Sequence, residues 1–521
     1  MRAWLLFLFL IPVVCLGVPG KSVLTKEGYL SGFVLNEETG LEVFRGVRYA
    51  EPPFKELRWR PPVPVQKWQG LKMCQLFSPI APQNVGQNVT EHQSEDCLFL
   101  NIWTTKTNQP EAKLPVMVWI HGGGLNRGWG HKEFYDGSAF AERGVVLVSI
   151  NYRLGALGFL SHPALSAESD HGVSGNYGIL DQIEALRWVQ RNIAAFGGDP
   201  DNVTIFGESA GGTSVSVLCA SPLAKGLFHK AIIQSPWMFG YINSLAEPNF
   251  ARLKQPMANL PSAEELGVEW ASKHTSDQGD EGLAALRALP FPEVVKTAGY
   301  YRTRPTIDGW VLPDHPQSIF SRGEQADVPV MIGTTKDEGN YFAGFVNFEK
   351  RSEFEKALES FYGPQAKQVL SLYPGTTKQE LRAAGSEFVT DAWFVQPARQ
   401  LLDGMAQLSS PVFQYQFSRG YPDRPQLGAP HAIELRYVFN TLKDPKEKPE
   451  SQALADQVTD YWVQFAEAGD PNREGLPEWP LYTAENRAYL DLDVAITTGK
   501  DLKAEACDVL DEATAGQYSF K

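Results

Sequence analysis

The chain has 521 residues, of which 43% are apolar and 21% charged, and a formal charge of −14. A length of this order can build a large enzyme core, and ordinary apolar and charged fractions exclude a disordered or fibrous class. The acidic balance excludes nucleic acid or an anionic membrane surface as the main partner, since no basic face is visible.

Arg2 precedes an unbroken apolar run over residues 4–16, and small residues follow at Gly17 and Gly20. That is the layout of a secretory signal peptide, too short for a membrane span, with cleavage expected after Gly17. Residues 1–17 are thus set apart from 18–521, no other stretch is apolar enough to span, and the expected location is secreted or periplasmic. Beyond Cys15, cysteines stand at 74, 97, 219 and 507. They allow three full pairings or a single bridge, and one bridge is favoured, because an exported chain can keep disulfides and Cys74 with Cys97 would close a modest loop. Asn88-Val-Thr90 and Asn202-Val-Thr204 match the glycosylation sequon, the second at the start of a core strand.

Residues 22–49 alternate apolar and polar around Glu37-Glu-Thr-Gly40, the pattern of an antiparallel hairpin. Pro52-Pro53 and Pro61-Pro62 impose extended loop. Residues 115–120 and 145–150 are near-continuous apolar runs, as in strands covered by helices on both faces. Ile179, Ile183, Leu186, Val189 and Ile193 recur at helical spacing, and a strand then leads into Val203-Thr-Ile-Phe-Gly-Glu-Ser-Ala-Gly-Gly212. Further strands are expected at 229–234, 328–333 and 411–418. Residues 240–325 form an excursion of short helical pieces, expected to cap the sheet's carboxyl end, and Leu454, Val458, Trp462 and Phe465 mark a late amphipathic helix. The whole reads as one large α/β domain with insertions, built on a mostly parallel sheet.

The chemistry centres on Ser209. A strand that stops at a glycine, followed by a serine among small residues, is a strand-to-helix elbow that lifts the serine oxygen toward substrate. An acyl-transfer nucleophile also needs a base, an orienter for that base and donors for an oxyanion. His121-Gly122-Gly123-Gly124 offers free backbone amides just after a strand, and the amide of Ala210 would complete the set. His431 comes last in the chain order serine, acid, histidine, in the loop Gly428-Ala-Pro-His431. The acid lies in Thr334-Thr-Lys-Asp-Glu-Gly339, where spacing leaves both Asp337 and Glu338 open. Asp308, in Ile307-Asp-Gly-Trp310, reads as a turn residue.

These motifs, together with Phe44-Arg-Gly-Val-Arg-Tyr-Ala-Glu-Pro-Pro53, Ser94-Glu-Asp-Cys-Leu-Phe-Leu-Asn101, Asn151-Tyr-Arg153 and Asp337-Glu-Gly339, resemble in kind and order those of the type-B carboxylesterase and cholinesterase family of the α/β-hydrolase fold. The resemblance implies a central, mostly parallel sheet with helical cap insertions. It assigns the acid to Glu338 and the oxyanion hole to Gly123, Gly124 and Ala210, pairs Cys74 with Cys97, and pairs Arg58 with Glu95. The chain departs from the cholinesterase pattern: no tryptophan lies between Cys74 and Cys97, so the cation–π seat for a quaternary ammonium is missing. The family's second disulfide has no cysteines here, which leaves Cys219 and Cys507 unpaired. Arg127 and Trp129 fall where the family lines its gorge; a guanidinium there could grip the carboxylate of an acidic ester. The expected function is a secreted serine carboxylesterase that hydrolyses small-molecule esters without metal or cofactor, active above about pH 6, where an ordinary imidazole is neutral. A non-catalytic binding protein on the same fold, or a lipase or amidase using the same chemistry, are the rival readings.

Overall fold

The computed structural model describes residues 19–84, 89–237, 250–256, 260–298, 304–344, 348–442 and 448–515. Residues 1–17, where a signal peptide is expected, and Asn88 lie outside them. Among these residues the aliphatic runs form one sheet of thirteen strands: β1 Pro19–Leu24, β2 Tyr29–Asn36, β3 Leu41–Arg48, β4 Leu71–Met73, β5 Phe99–Thr104, β6 Leu114–Ile120, β7 Val146–Ile150, β8 Gly198–Glu208, β9 Lys230–Gln234, β10 Val330–Thr335, β11 Val412–Phe417, β12 Ala488–Leu492 and β13 Thr497–Lys500. Their order is β1-β2-β3-β5-β7-β6-β8-β9-β10-β11-β12-β13, with β4 on β2. From β7 to β12 every pairing is parallel, and the flanks are antiparallel except for β4, which runs parallel to β2. The expected hairpin is β2 with β3.

This is the α/β-hydrolase arrangement inferred from the motifs, and its centre is hydrophobic for the reason the sequence suggested. Every residue of β7, β9 and β10 is buried, because helices cover both faces. One cover is α1 Tyr177–Asn192, whose Ile179, Ile183, Leu186 and Val189 are fully buried. The others that bear on function are α2 Ala210–Ala220 and α3 Pro449–Ala468, which buries Leu454, Val458, Trp462 and Phe465. Strand β10 lies two residues later than expected. Thr334 and Thr335 continue the ladder by pairing with Gln416 and Phe417, and β-branched threonine suits a pleated, buried surface.

The strand order creates the site. From β6 the chain crosses to β7 on one side and later returns to lay β8 on the other, so the connections diverge between β6 and β8. In an open parallel sheet, such a divergence leaves a crevice at the carboxyl ends of the strands, where ligands bind. Ile120 is paired with Gly207, and Glu208 with Gln234, which sets the glycine loop, the serine elbow and the end of β9 side by side. The described part of the 240–325 excursion packs on the segment of Arg58 and Trp59, with Trp270 edge-on to Trp59 at 6.1 Å. Arg58 ties it down: its guanidinium donates to Glu95 at 2.7 and 2.5 Å and to the carbonyl of Leu289 at 2.6 Å. The Arg58–Glu95 pair thus forms as the resemblance implied.

Candidate active site

Strand β8 ends at Glu208, and the chain turns at Ser209 with φ 59° and ψ −124° before entering α2. A serine in that region is strained by roughly 1–3 kcal/mol, a cost tolerated where the surroundings over-determine the backbone. The surroundings here require glycine: a Cβ on Gly207 would lie 2.6 Å from the carbonyl carbon of Gly211, and one on Gly211 would lie 2.1 Å from the carbonyl oxygen of Ile120. The two glycines let the helix start press against β6 while the serine side chain stays clear of it. Ser209 retains 9% of its surface, and its hydroxyl makes no hydrogen bond among the described residues.

His431 and the acid reach the same edge from two other strands. Past β10, Glu338 Oε1 accepts from the Thr335 amide at 2.8 Å and from the Ser235 hydroxyl at 2.5 Å. Its Oε2 lies 2.5 Å from Nδ1 of His431, delivered by the loop after β11. Asp337 has a different task, accepting the Ala429 amide at 2.8 Å and so fastening the loop that carries His431. Of the two acids left open by spacing, Glu338 is the one that meets the imidazole. Phe394 at 4.9 Å, Phe342 at 5.1 Å and Tyr341 at 5.7 Å, between ring centroids, wall the imidazole.

The other ring nitrogen, Nε2, faces Glu208 Oε1 at 3.0 Å. A Cβ on Gly122 would lie 3.0 Å from Glu208 Oε2 and 3.1 Å from Ser209 Cβ, and Ser209, Glu208 and His431 line one cavity. Burial pulls the pKa of His431 down, but the negative charges of Glu208 and Glu338 outweigh it and raise it to about 9. Burial pushes Glu208 upward, against the attraction of His431, and the charge of Glu338 adds to that push. Glu434 is raised by burial and by Glu208 and Glu338 together. It accepts from Gln234 Nε2 at 3.1 Å. Glu208 and Glu434 are thus both pushed toward their neutral forms beside the imidazole, and their titrations are linked to that of His431.

The glycine loop leaves its donors open. Among the described residues, the amides of Gly123, Gly124 and Ala210 donate to no protein acceptor. The loop is braced from behind: Tyr152 donates its hydroxyl to the His121 carbonyl at 2.7 Å and stacks on the His121 ring at 4.5 Å, while Asn151 accepts the Gly130 amide at 2.8 Å. Arg153 completes the Asn-Tyr-Arg motif through a buried pair with Asp181, at 2.7 and 2.8 Å. Burial drives the pKa of His121 down to about 3, so this histidine stays neutral. His315 is likewise held at about 3 by burial, and its Nδ1 accepts a helix-start amide at 3.3 Å. Asp308 accepts the amides of Trp310, Val311 and Leu312, as its turn setting suggested.

Above Ser209 lies a cavity of about 340 Å³ whose wall includes the glycine triplet, Arg127, Lys132, Glu208, Trp237 and His431. Arg127 is exposed and donates to the Tyr341 hydroxyl at 3.2 Å. Trp129 lies off this wall and carries the Lys132 ammonium over its ring at 5.1 Å. The Cys74–Cys97 bridge does not form: Cys74, Cys97, Cys219 and Cys507 all stand as free, buried thiols. The two expected partners face different surroundings. The Cys74 thiol contacts the Lys72 carbonyl at 3.9 Å, whereas Cys97 lies in the fields of Asp181 and Arg153, and burial pushes the Cys74 thiol up to about 12. Sequence reasoning missed Glu208, Ser235, Lys132 and Glu434. Glu208 offered a signal, as a charged residue inside an otherwise small-residue elbow.

The model of the carboxylesterase family matches residues 19–510. Similar proteins include fumonisin B1 esterase of Sphingopyxis macrogoltabida, 36% identical over 87% of this chain and 83% of the relative, and para-nitrobenzyl esterase of Bacillus subtilis (strain 168), 34% identical over 93% and 97%. Cocaine esterase of Homo sapiens is 35% identical over 92% and 89%. Among solved structures, a PNB esterase superposes with a TM-score of 0.79 at 33% identity, over 94% of this chain and 99% of the other; a thermophylic PNB esterase gives 0.81 at 32% over the same shares. With a serine elbow at the switch point of a parallel sheet, and kinship along nearly all of its length, the chain belongs to the carboxylesterase family and is a hydrolase of carboxylic ester bonds.

Proposed function

We propose that the protein hydrolyses small-molecule esters through an acyl-enzyme on Ser209. His431 takes the proton of the Ser209 hydroxyl as its oxygen attacks the ester carbonyl. The amides of Gly123, Gly124 and Ala210 hold the oxyanion, whose charge develops only in the transition state. Glu338 fixes the imidazole and balances its positive charge while it is protonated. His431 then gives the proton to the leaving alcohol, and water cleaves the acyl-enzyme by the same route in reverse.

The observation that carries this reading is the 2.5 Å contact of Glu338 with His431 Nδ1, at the edge of the cavity that holds Ser209. The relatives are named for unlike esters, so the ester bond carries over rather than a particular acid or alcohol. The signal-like run over residues 4–16 supports export of the chain. No helix of the described residues is long and apolar enough to cross a membrane. Turnover of p-nitrophenyl acetate tests the chemistry: the chain should release p-nitrophenolate and Ser209→Ala should lose that activity while folding normally. Undiminished release by the alanine variant would remove the serine from the mechanism.

A further inference from the structure

Two cations line the cavity above Ser209, and among the described residues neither forms an ion pair with a carboxylate. Among the described residues, the Arg127 guanidinium donates to the Tyr341 hydroxyl alone. Lys132 is half-buried and makes no hydrogen bond or ion pair among the described residues; its ammonium lies 5.1 Å from the ring of Trp129 and 5.7 Å from each of Phe134 and Tyr135. Ring faces attract an ammonium but do not replace the three acceptors that it loses on leaving water. A partly desolvated charge of this kind is a poor choice for stability and a good receptor for an anion.

The cavity's own acid does not fill that role. Glu208 faces His431 Nε2 at 3.0 Å and acts on Lys132 through its field, as Glu91 does, without forming an ion pair with it among the described residues. Lys132 also borders a second cavity of about 570 Å³, where Arg45 is set against Glu91, Glu133 and Asp136. Acids outnumber that arginine, so the far side of Lys132 repels an anion and the catalytic side accepts it. A volume of about 340 Å³ accommodates a short chain rather than a bulky group.

Resting on the esterase reading above, we propose that Lys132, with Arg127, selects esters that carry a second, free carboxylate: hemiesters of short dicarboxylic acids. Lys132 is then a specificity residue, which binds substrate charge and takes no part in proton transfer. The carboxylate seated between the two cations leaves the ester carbonyl to the glycine amides.

The test compares mono-(4-nitrophenyl) glutarate with 4-nitrophenyl pentanoate, matched in chain length and differing in charge. For the natural chain, the ratio of kcat/KM for the hemiester over the neutral ester should exceed one and fall as salt is raised. In Lys132→Met that ratio should drop about tenfold, mainly through KM for the hemiester, and Lys132→Arg should restore most of it. Lys132→Gln repeats the measurement should the methionine variant misfold. A ratio below one in the natural chain, or one unmoved by the loss of the lysine charge, overturns the inference. If neither ester is turned over, the esterase reading itself fails; if the neutral ester alone is preferred, only the role of Lys132 does.

Discussion

Nε2 of His431 lies 3.0 Å from Oε1 of Glu208, the residue immediately before Ser209. The imidazole is therefore held between two carboxylates, with Glu338 on Nδ1 at 2.5 Å. Both favour its protonated form, which suits the transition state, yet the same charges keep the base protonated to higher pH in the resting enzyme.

The pH profile follows from that sign. Only neutral His431 can accept the serine proton, and its pKa is raised, so the acid limb of kcat/KM should lie above the ordinary imidazole value of about 6.5 rather than near pH 6. Glu208→Gln removes one of the charges responsible, lowers the histidine's pKa, and should move the limb down by about one pH unit or more. An unmoved limb would mean that Glu208 does not act on His431.

Ser235 makes a second, separable prediction. Its hydroxyl donates to Glu338 Oε1 at 2.5 Å from a backbone at φ 43°, just past β9. A hydrogen bond to a charged acceptor is worth about 1.5–3 kcal/mol. Ser235→Ala should lower kcat by about tenfold or more with little change in KM, because the acid loses its anchor and the substrate cavity keeps its walls. A change confined to KM would contradict this.

Gly211 should tolerate no side chain. A Cβ there would sit 2.1 Å from the Ile120 carbonyl oxygen, which belongs to the backbone of β6 and has nowhere to go. Gly211→Ala should cost about 3 kcal/mol or more, seen as a fall in melting temperature or as insoluble protein. A variant as stable as the natural chain would show that the elbow is looser than it looks.

The pair of Arg153 with Asp181 is a structural counterpart to the site. Both side chains are buried, at 3% and 0% exposure, and Asp181 also accepts the Arg153 amide at 3.0 Å. Asp181→Asn leaves a guanidinium charge uncompensated in the interior and should destabilise the protein by about 3–5 kcal/mol in denaturant unfolding. Loss of less than about 1 kcal/mol would mean that water reaches the arginine.

Much of this was legible in the sequence because the site is built from strand ends. Ser209, the glycine loop and the acid segment each follow a run of apolar residues that can only be a buried strand, and parallel strands bring such ends to one edge. His431 was found by its position after the last of them. The choice between Asp337 and Glu338 was not legible from spacing, since it turns on which acid faces the imidazole and which fastens the loop of Ala429. Ser235 and Glu434 lie 103 and 200 residues along the chain from the groups they bond, Glu338 and Gln234. The disulfide inferred from resemblance is absent, all four described cysteines standing as free thiols, because motifs that preserve a fold need not preserve each of its bridges.

The acyl-enzyme is a covalent species, and trapping reveals it. The protein is mixed with p-nitrophenyl acetate, quenched within the first turnover, digested, and the peptide spanning β8 and α2 analysed by mass spectrometry. The expected result is a burst of about one p-nitrophenolate per chain and an acetyl group on Ser209 that is absent from Ser209→Ala. Steady turnover with no burst and no label, or an acetyl group on another residue that persists in the alanine variant, would contradict it.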